Sequence, residues 1–319
     1  MALTQEELEL RTKGLGGSDA PVVLGLSSYK SRLALYLEKR REIEADPVDS
    51  EAALWGEILE DPVAREWSRR TKYEIRRQPT RFSKEQPFML VNMDRQIIGH
   101  PRGTGLAEVK CFSEWKAGRI ETLDEVPDAV YVQVQHGLAV TGYAWGVIII
   151  LAGGQRLVWF EVDRHEEFIA ALINAERVFW DAVVAGQPPE ADAHGATTDA
   201  LRRLFPKDSG KKIVLDHPSV LKLAQDLTDW KAKAKAADEE WEARKNAMKL
   251  LMGDAAELEI PGYGCLTWKT SKVSKKPVFD EERFRKEQPE LYAKYVKTIP
   301  TGGTRTFYDK PKKAEEDAA

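Results

Sequence analysis

The chain has 319 residues, with 48 Lys+Arg against 52 Asp+Glu for a formal net charge of -4, and 42% hydrophobic and 31% charged residues. That mixture excludes a disordered or fibrous chain, and no apolar run reaches the ~18 residues that a transmembrane helix needs. Two cysteines, Cys111 and Cys265, exclude a disulfide framework and a four-cysteine metal cluster, and the opening MALTQEELEL carries no basic-then-apolar leader, so a cytoplasmic protein is expected.

In chain order, Ser18-Asp19-Ala20-Pro21 reads as a helix start, because a polar cap and an early proline suit a first turn. Leu33 to Arg41 is a second helix and Ala52 to Arg70 a third, the latter with Leu54, Ile58, Leu59, Val63 and Trp67 near helical spacing. Extended segments follow at Tyr73–Arg77, Thr80–Ser83 and Phe88–Asn92. Arg95–Gly99 and Leu106–Phe112 form a strand pair around the turn HPRGTG. Val130 to Val140 is a helix entered after Pro127. Ala144–Leu151 and Leu157–Val162 form a hairpin about Gly153-Gly154, and Arg164 to Val184 is a long amphipathic helix. This order predicts an α/β core with a mixed sheet. Residues 1–187 form the expected first domain and 188–216 a linker. Residues 217–319 form a C-terminal extension: a long charged helix, Pro218 to Met252, that could pair as a coiled coil, then a small α+β unit and a charged tail.

An acidic total argues against a nucleic-acid partner, but the charge is uneven. Residues 1–200 carry a net of -9 and residues 201–319 a net of +5. Within the acidic part, residues 65–84 hold Arg65, Arg69, Arg70, Lys72, Arg76, Arg77, Arg81 and Lys84 against Glu66 and Glu74. The stretch is either a solvated helix face or a phosphate-facing patch. A second basic group, Lys269, Lys272, Lys275 and Lys276, follows the long helix and could contact DNA or a partner subunit.

The chemistry concentrates at Asp94 and Glu108-Val109-Lys110. On a strand, residues i and i+2 share a face, so Glu108 and Lys110 project together while Val109 points inward. A hairpin brings Asp94 beside Glu108. Two facing carboxylates repel unless a cation lies between them, and Mg²⁺, which prefers oxygen ligands, suits that place, with the Val109 carbonyl as a further oxygen. Lys110 can stabilise phosphate charge or hold an attacking water. On its own this pattern is more often an ordinary turn aspartate at a strand end and a solvated strand face.

Three neighbouring patterns strengthen it. Gly56-Glu57-Ile58-Leu59-Glu60 offers a helix carboxylate one turn from a glycine that would allow a close backbone approach. Tyr131-Val132-Gln133-Val134-Gln135-His136 offers the Gln133 amide, with His136 expected to be structural. Arg11-x-x-Gly14-Leu15-Gly16-Gly17-Ser18 places glycines ahead of a helix start, where backbone N–H groups, the Arg11 fork and the Ser18 hydroxyl can meet an anion. No Gly-Lys-Ser/Thr follows, so this is not a nucleotide-binding P-loop.

Taken together, LGGSDAPVVLGLSSYKSRLALYLEKR, WGEILEDPVAREW, MLVNMD, GLAEVK and YVQVQHGLAVTG, with VIIILAGGQRLVWFEV after them, resemble the YqaJ-type viral recombinase family. That family is related to the λ exonuclease within the PD-(D/E)xK nuclease superfamily. The resemblance spans about residues 11–183 and implies a restriction-endonuclease-like core, a mixed central sheet flanked by helices. It implies a Mg²⁺-dependent nuclease, with Mn²⁺ able to substitute, that degrades one strand of duplex DNA from the 5′ end. Double-stranded DNA ends, a phage-type single-strand annealing protein and a ring trimer are the implied partners, in a bacterial host cell. By motif, Asp94, Glu108 and Lys110 look like the metal and catalytic residues. Glu60 takes the place of the helix carboxylate, Gln133 that of the active-site glutamine, and Arg11 and Ser18 those of the 5′-phosphate contacts. The motif's leading proline is replaced by Met93. Two other readings stand beside this one. The first is a RecB-like defence endonuclease, many of which need a four-cysteine cluster. The second is a non-catalytic DNA-binding recombination scaffold.

Overall fold

The computed structural model describes residues 9–44, 51–114, 118, 120–272, 279–297 and 305–307. The chain divides into two compact units, Met1–Pro206 and Lys207–Ala319. Lys275, Lys276 and the charged tail lie outside the described residues.

The first unit opens with a short helix α1 (Ala20–Val23), α2 (Arg32–Lys39) and α3 (Glu51–Thr71). Ser31 caps α2 by accepting from the Ala34 N–H, so an orphan donor of the first turn is satisfied. Strands β1 (Glu74–Arg76), β2 (Arg81–Phe82), β3 (Leu90–Val91), β4 (Arg95–Ile98) and β5 (Gly105–Phe112) follow, then α4 (Asp128–Thr141). Next come β6 (Trp145–Ala152), β7 (Arg156–Asp163), α5 (Glu166–Ala185) and α6 (Gly195–Leu204). Gly142 and Gly186 end α4 and α5 in the left-handed conformation that glycine adopts without a Cβ penalty.

The central sheet has the order β1-β4-β5-β6-β7. Every neighbouring pair is antiparallel except β5–β6, which is parallel and joined by the crossover containing α4. The alternation along β5 decides what each face carries. Ala107 and Val109 pack with Val63, Ala64 and Trp67 of α3 and with Trp145, Val147 and Ile149 of β6. Leu106 faces the other way, into a core with Val134 and Leu138 of α4 and Ile148 and Ile150 of β6. Each of these wholly buried aliphatic side chains contributes about 1.5–3 kcal/mol over an exposed one. The expected mixed sheet flanked by helices is therefore present, and β5 runs between its two cores.

One expected boundary differs. Residues 195–204, read as linker, form α6, whose fully buried Ala200 packs with Leu33–Leu37 of α2 and Phe179 and Val183 of α5. The segment is short, capped by His194 and rich in small residues, so its composition imitates a linker while its one apolar stripe docks. The first unit accordingly runs to Pro206.

The second unit holds α7 (Pro218–Met252), the hairpin β8 (Glu257–Ile260) and β9 (Gly264–Thr267), and α8 (Glu281–Glu287) and α9 (Pro289–Tyr295). At 35 residues α7 is roughly 52 Å long, and it leaves Leu223, Trp230 and Trp241 exposed. Among the described residues no helix is long and apolar enough to cross a membrane.

Candidate active site

A pocket of about 190 Å³ is lined by Arg11, Gly16, Gly17, Ser18, Asn92, Asp94, Glu108 and Gln133, among others. Sequence positions 11 to 133 meet there because three segments are stitched together. The glycine-rich loop runs alongside the residues leading into β3: the Leu15 N–H donates to the Phe88 carbonyl at 2.7 Å and the Leu90 N–H to the Leu15 carbonyl at 2.9 Å. A Cβ on Gly14 would lie 2.4 Å from the Phe88 oxygen, so only glycine permits this contact. A Cβ on Gly17 would lie 3.1 Å from Cγ of Gln133, which sets the loop directly on α4.

Asp94 precedes β4, and the register Arg95↔Ala107 puts it opposite Glu108. Its Oδ2 accepts the Val109 N–H at 2.7 Å. Glu108, only 5% exposed, accepts from Nζ of Lys110 at 2.5 Å, and the same ammonium donates to Oε1 of Gln133 at 3.0 Å. Glu108 and Lys110 thus share a face, as the i, i+2 spacing requires, and on that face Glu108 is buried while Lys110 is only half-buried. Burial, and then the Glu108 charge, push the Asp94 carboxyl well above the usual range. Burial works against the charge on Lys110, but Glu108 and Asp94 outweigh it and hold the ammonium above its ordinary value.

Glu60 lies near enough to Asp94 for its charge to raise that carboxyl, and it is tied to a neighbouring cation. Its Oε1 accepts from Arg95 at 2.5 Å, and Arg95 also donates to Asp61 at 2.7 Å and to the Asp94 carbonyl. Arg95 is 3% exposed, so a buried guanidinium balances the helix carboxylates beside Asp94. Gly56 meets open space, and the close approach expected there is absent, because its side of α3 faces outward with exposed Leu54, Trp55 and Ile58.

Arg11 donates to the Ser18 hydroxyl at 2.6 Å, so the two residues expected at a phosphate are adjacent. The Gly16 N–H does not point to open solvent for an anion: it donates to Oδ2 of Asp19, which also takes Nζ of Lys39 at 2.6 Å. Burial raises the Asp19 carboxyl, yet Lys39 and Arg11 more than offset it and leave the group below its ordinary value. The basic stretch 65–84 is partly neutralised. Arg65 pairs with Asp61, Arg69 and Arg70 with Glu66, and Arg76 with Glu74. Lys72 and Lys84 are exposed.

Asn92 was not anticipated. It lies two residues before Asp94 and lines the pocket, and its Oδ1 is buried without a hydrogen-bond partner. The alternation of an extended segment, which puts 92 and 94 on one side, is the signal that finds it. Among the described residues no three His, Cys, Asp or Glu side chains already form a cation cage. The donor chemistry nonetheless fits a hard cation. Asp94 and Glu108 face one another with a single ammonium to offset them, and an unpartnered amide oxygen lies alongside.

Residues 8–144 match the YqaJ-like viral recombinase domain. The Bacillus subtilis (strain 168) protein described as uncharacterized protein YqaJ is 32% identical over 291 residues, which cover 90% of this chain and 89% of the relative. Two solved structures are similar to part of the chain. One is an alkaline exonuclease (LHK-Exo) from Laribacter hongkongensis, with 17% identity, 58% of this chain and 94% of that chain covered, and a TM-score of 0.48. The other is a phage related exonuclease from Haemophilus somnus 129PT, with 14% identity, 56% and 98% covered, and a TM-score of 0.42.

Proposed function

The chain belongs to the YqaJ-like viral recombinase family, and from that membership and the pocket's geometry we propose that it is a Mg²⁺-dependent DNA exonuclease acting from 5′ ends. The observation that carries the reading is the convergence of Glu108 and Gln133, each bonded to the Lys110 ammonium, with Asp94 opposite Glu108 and Arg11 and Ser18 lining the same pocket as Asp94, Glu108 and Gln133. Asp94 and Glu108 would hold the metal, with the Val109 carbonyl as a further oxygen and Glu60 assisting after exchange away from Arg95. A bound Mg²⁺ supplies Lewis acidity and lowers the pKa of a coordinated water.

The chain's own groups do the rest. Lys110, bonded to both Glu108 and Gln133, is placed to act as an electrostatic stabiliser and hydrogen-bond donor. Its bond to Oε1 of Gln133 leaves the amide N–H₂ of that residue to orient a water or a phosphate oxygen. Arg11, its guanidinium already aligned with the Ser18 hydroxyl, would take a terminal phosphate with charge-assisted hydrogen bonds and so favour ends over internal sites. Family membership supports the wider role: 3′ single-stranded overhangs made for recombination, a single-strand annealing protein as partner, and a homo-oligomer around duplex DNA.

The test is digestion of linear 5′-phosphorylated, linear 5′-hydroxyl and closed circular duplexes, each with Mg²⁺ and with EDTA. Loss of the linear 5′-phosphorylated duplex in Mg²⁺ alone, with circles spared, is expected. Cutting of circles would instead favour the endonuclease reading, and no digestion under any condition would favour the scaffold.

A further inference from the structure

His136 and Glu176 are both fully buried, forty residues apart in sequence, and take no part in the chemistry above. The two ring nitrogens of His136 have fixed partners. Nδ1 lies 2.8 Å from Oε1 of Glu176 on α5, and Nε2 lies 2.8 Å from the carbonyl oxygen of Leu90 on β3. The ring sits one turn along α4 from Gln133, and a Cβ on Gly17 would lie 3.8 Å from its Cδ2. The loop that delivers Ser18, the strand that leads to Asn92 and Asp94, and the helix that carries Gln133 therefore all meet at this imidazole.

We infer that His136, held by Glu176, is a positioning residue: a buried hydrogen-bonded node that fixes the relative placement of Ser18, Asp94 and Gln133. The inference rests on the proposed function for its consequence, though not for its geometry. A carbonyl only accepts, so Nε2 must donate to Leu90. Nδ1 then meets a carboxyl oxygen, and a hydrogen bond there requires one more proton, on the ring or on Glu176. The pair thus holds one proton more than a neutral imidazole beside a carboxylate, and in that state it is neutral overall. Removing the proton leaves two acceptors 2.8 Å apart and a net negative charge in a dry interior, where it is costly. Oε2 of Glu176 is buried without a partner, so no second donor among the described residues relieves that charge. The other charged groups facing the node are Asp19, itself paired to Lys39, and Arg11 beyond it. From β3 the node takes the Leu90 carbonyl. Burial opposes a charged ring, but Glu176 outweighs it and raises the His136 pKa, so the extra proton persists above the ordinary histidine range.

Two variants separate positioning from bulk stability. Glu176→Gln is nearly isosteric and keeps the node neutral: the amide N–H₂ donates to an unprotonated Nδ1 while Nε2–H still reaches Leu90. Glu176→Ala leaves Nδ1 without a partner. Expected for Glu176→Ala is a fall in kcat, per folded molecule, of about 10-fold or more at pH 8 with KM for DNA little changed, because loosened alignment costs the chemical step and not substrate contact. Glu176→Gln is expected to keep kcat within about 3-fold and to extend the alkaline limb of the kcat profile, since its node has no proton to lose. A readout independent of activity is hydrogen exchange at the Val109 amide, which donates to Asp94. Exchange should quicken in Glu176→Ala and stay at the wild-type rate in Glu176→Gln. Wild-type exchange and wild-type kcat in Glu176→Ala, or equal impairment in both variants, would overturn the inference. If the wild-type chain digests no DNA, the proposed function fails, and the exchange measurement still decides whether the node places Asp94.

Discussion

Replacing Asp94 by Asn should raise the thermal stability of the metal-free protein while abolishing its digestion of DNA. The Asn side chain keeps an oxygen for the Val109 N–H, so the hydrogen bond to β5 survives. What it removes is a negative charge facing Glu108. Directly opposed residues of an antiparallel pair lie about 5 Å apart at Cβ, and two unit charges at that distance repel by roughly 3 kcal/mol at an effective dielectric of about 20. Lys110, bonded to Glu108, offsets about half, which leaves about 1–2 kcal/mol, or roughly 2–8 °C in Tm for a unit of this size. The pH dependence follows from linkage. The Asp94 carboxyl is raised in the folded state, so between its ordinary value and the raised one the folded chain holds more protons than the unfolded chain, and stability falls as pH rises through that window. The gain from Asp94→Asn is therefore full at alkaline pH and shrinks as pH falls toward ~4, where the unfolded-state carboxyl also protonates. Thermal unfolding in EDTA at pH 8 and pH 5 reads this directly. Adding Mg²⁺ should then stabilise wild type and leave the variant nearly unmoved, reversing their order once metal binding exceeds the gain. A variant that melts below wild type in EDTA at pH 8 would refute the reasoning, because the carboxylates would then not be in conflict.

The remaining predictions concern neighbouring groups. Lys110→Met should lower digestion by about 10²–10⁴-fold with DNA affinity within a few-fold, measured by single-turnover kinetics and fluorescence anisotropy. Arg11→Gln should reduce the preference for 5′-phosphorylated over 5′-hydroxyl ends by about 10-fold, the worth of one charge-assisted hydrogen bond, in a competition digest. Gly105→Ala would place a Cβ 2.6 Å from the Trp145 ring, and such overpacking should cost about 1–3 kcal/mol by chemical denaturation. A chain ending at Pro206 should unfold in one cooperative transition, and one ending at Gln187 should melt lower, because it loses Ala200 from the core shared with α2 and α5.

What the sequence made legible followed local rules. The hairpin β4–β5, the shared face of Glu108 and Lys110, and the extents of α3, α4 and α7 all come from periodicity and turn residues within a few positions of one another. The adjacency of Arg11 and Ser18 was legible for the same reason, seven residues on a tight loop. The pairings that define the pocket's charge were not. Arg95 reaches Glu60 and Asp61 across about 35 positions, and His136 reaches Glu176 across 40. No periodicity encodes such a contact, and each of these residues reads alone as a polar side chain on a helix or strand. Gly56 shows the converse: a glycine suggests a close approach, but only the packed structure shows whether anything approaches.

The single parallel step in the sheet, β5 against β6, sets the order in which the pocket can come into being. Asp94, Glu108 and Lys110 belong to a hairpin that closes locally, but β5 acquires its second neighbour only after the crossover and β6 have been made, through Ala152. Glu176, which holds His136, comes later still. Pairing over such separations is slow compared with hairpin closure. A chain emerging from the ribosome therefore displays Asp94 and Glu108 well before it can align Gln133 against them. On the proposed function, the residues that build and align the pocket are all present only once the chain has been made through Glu176.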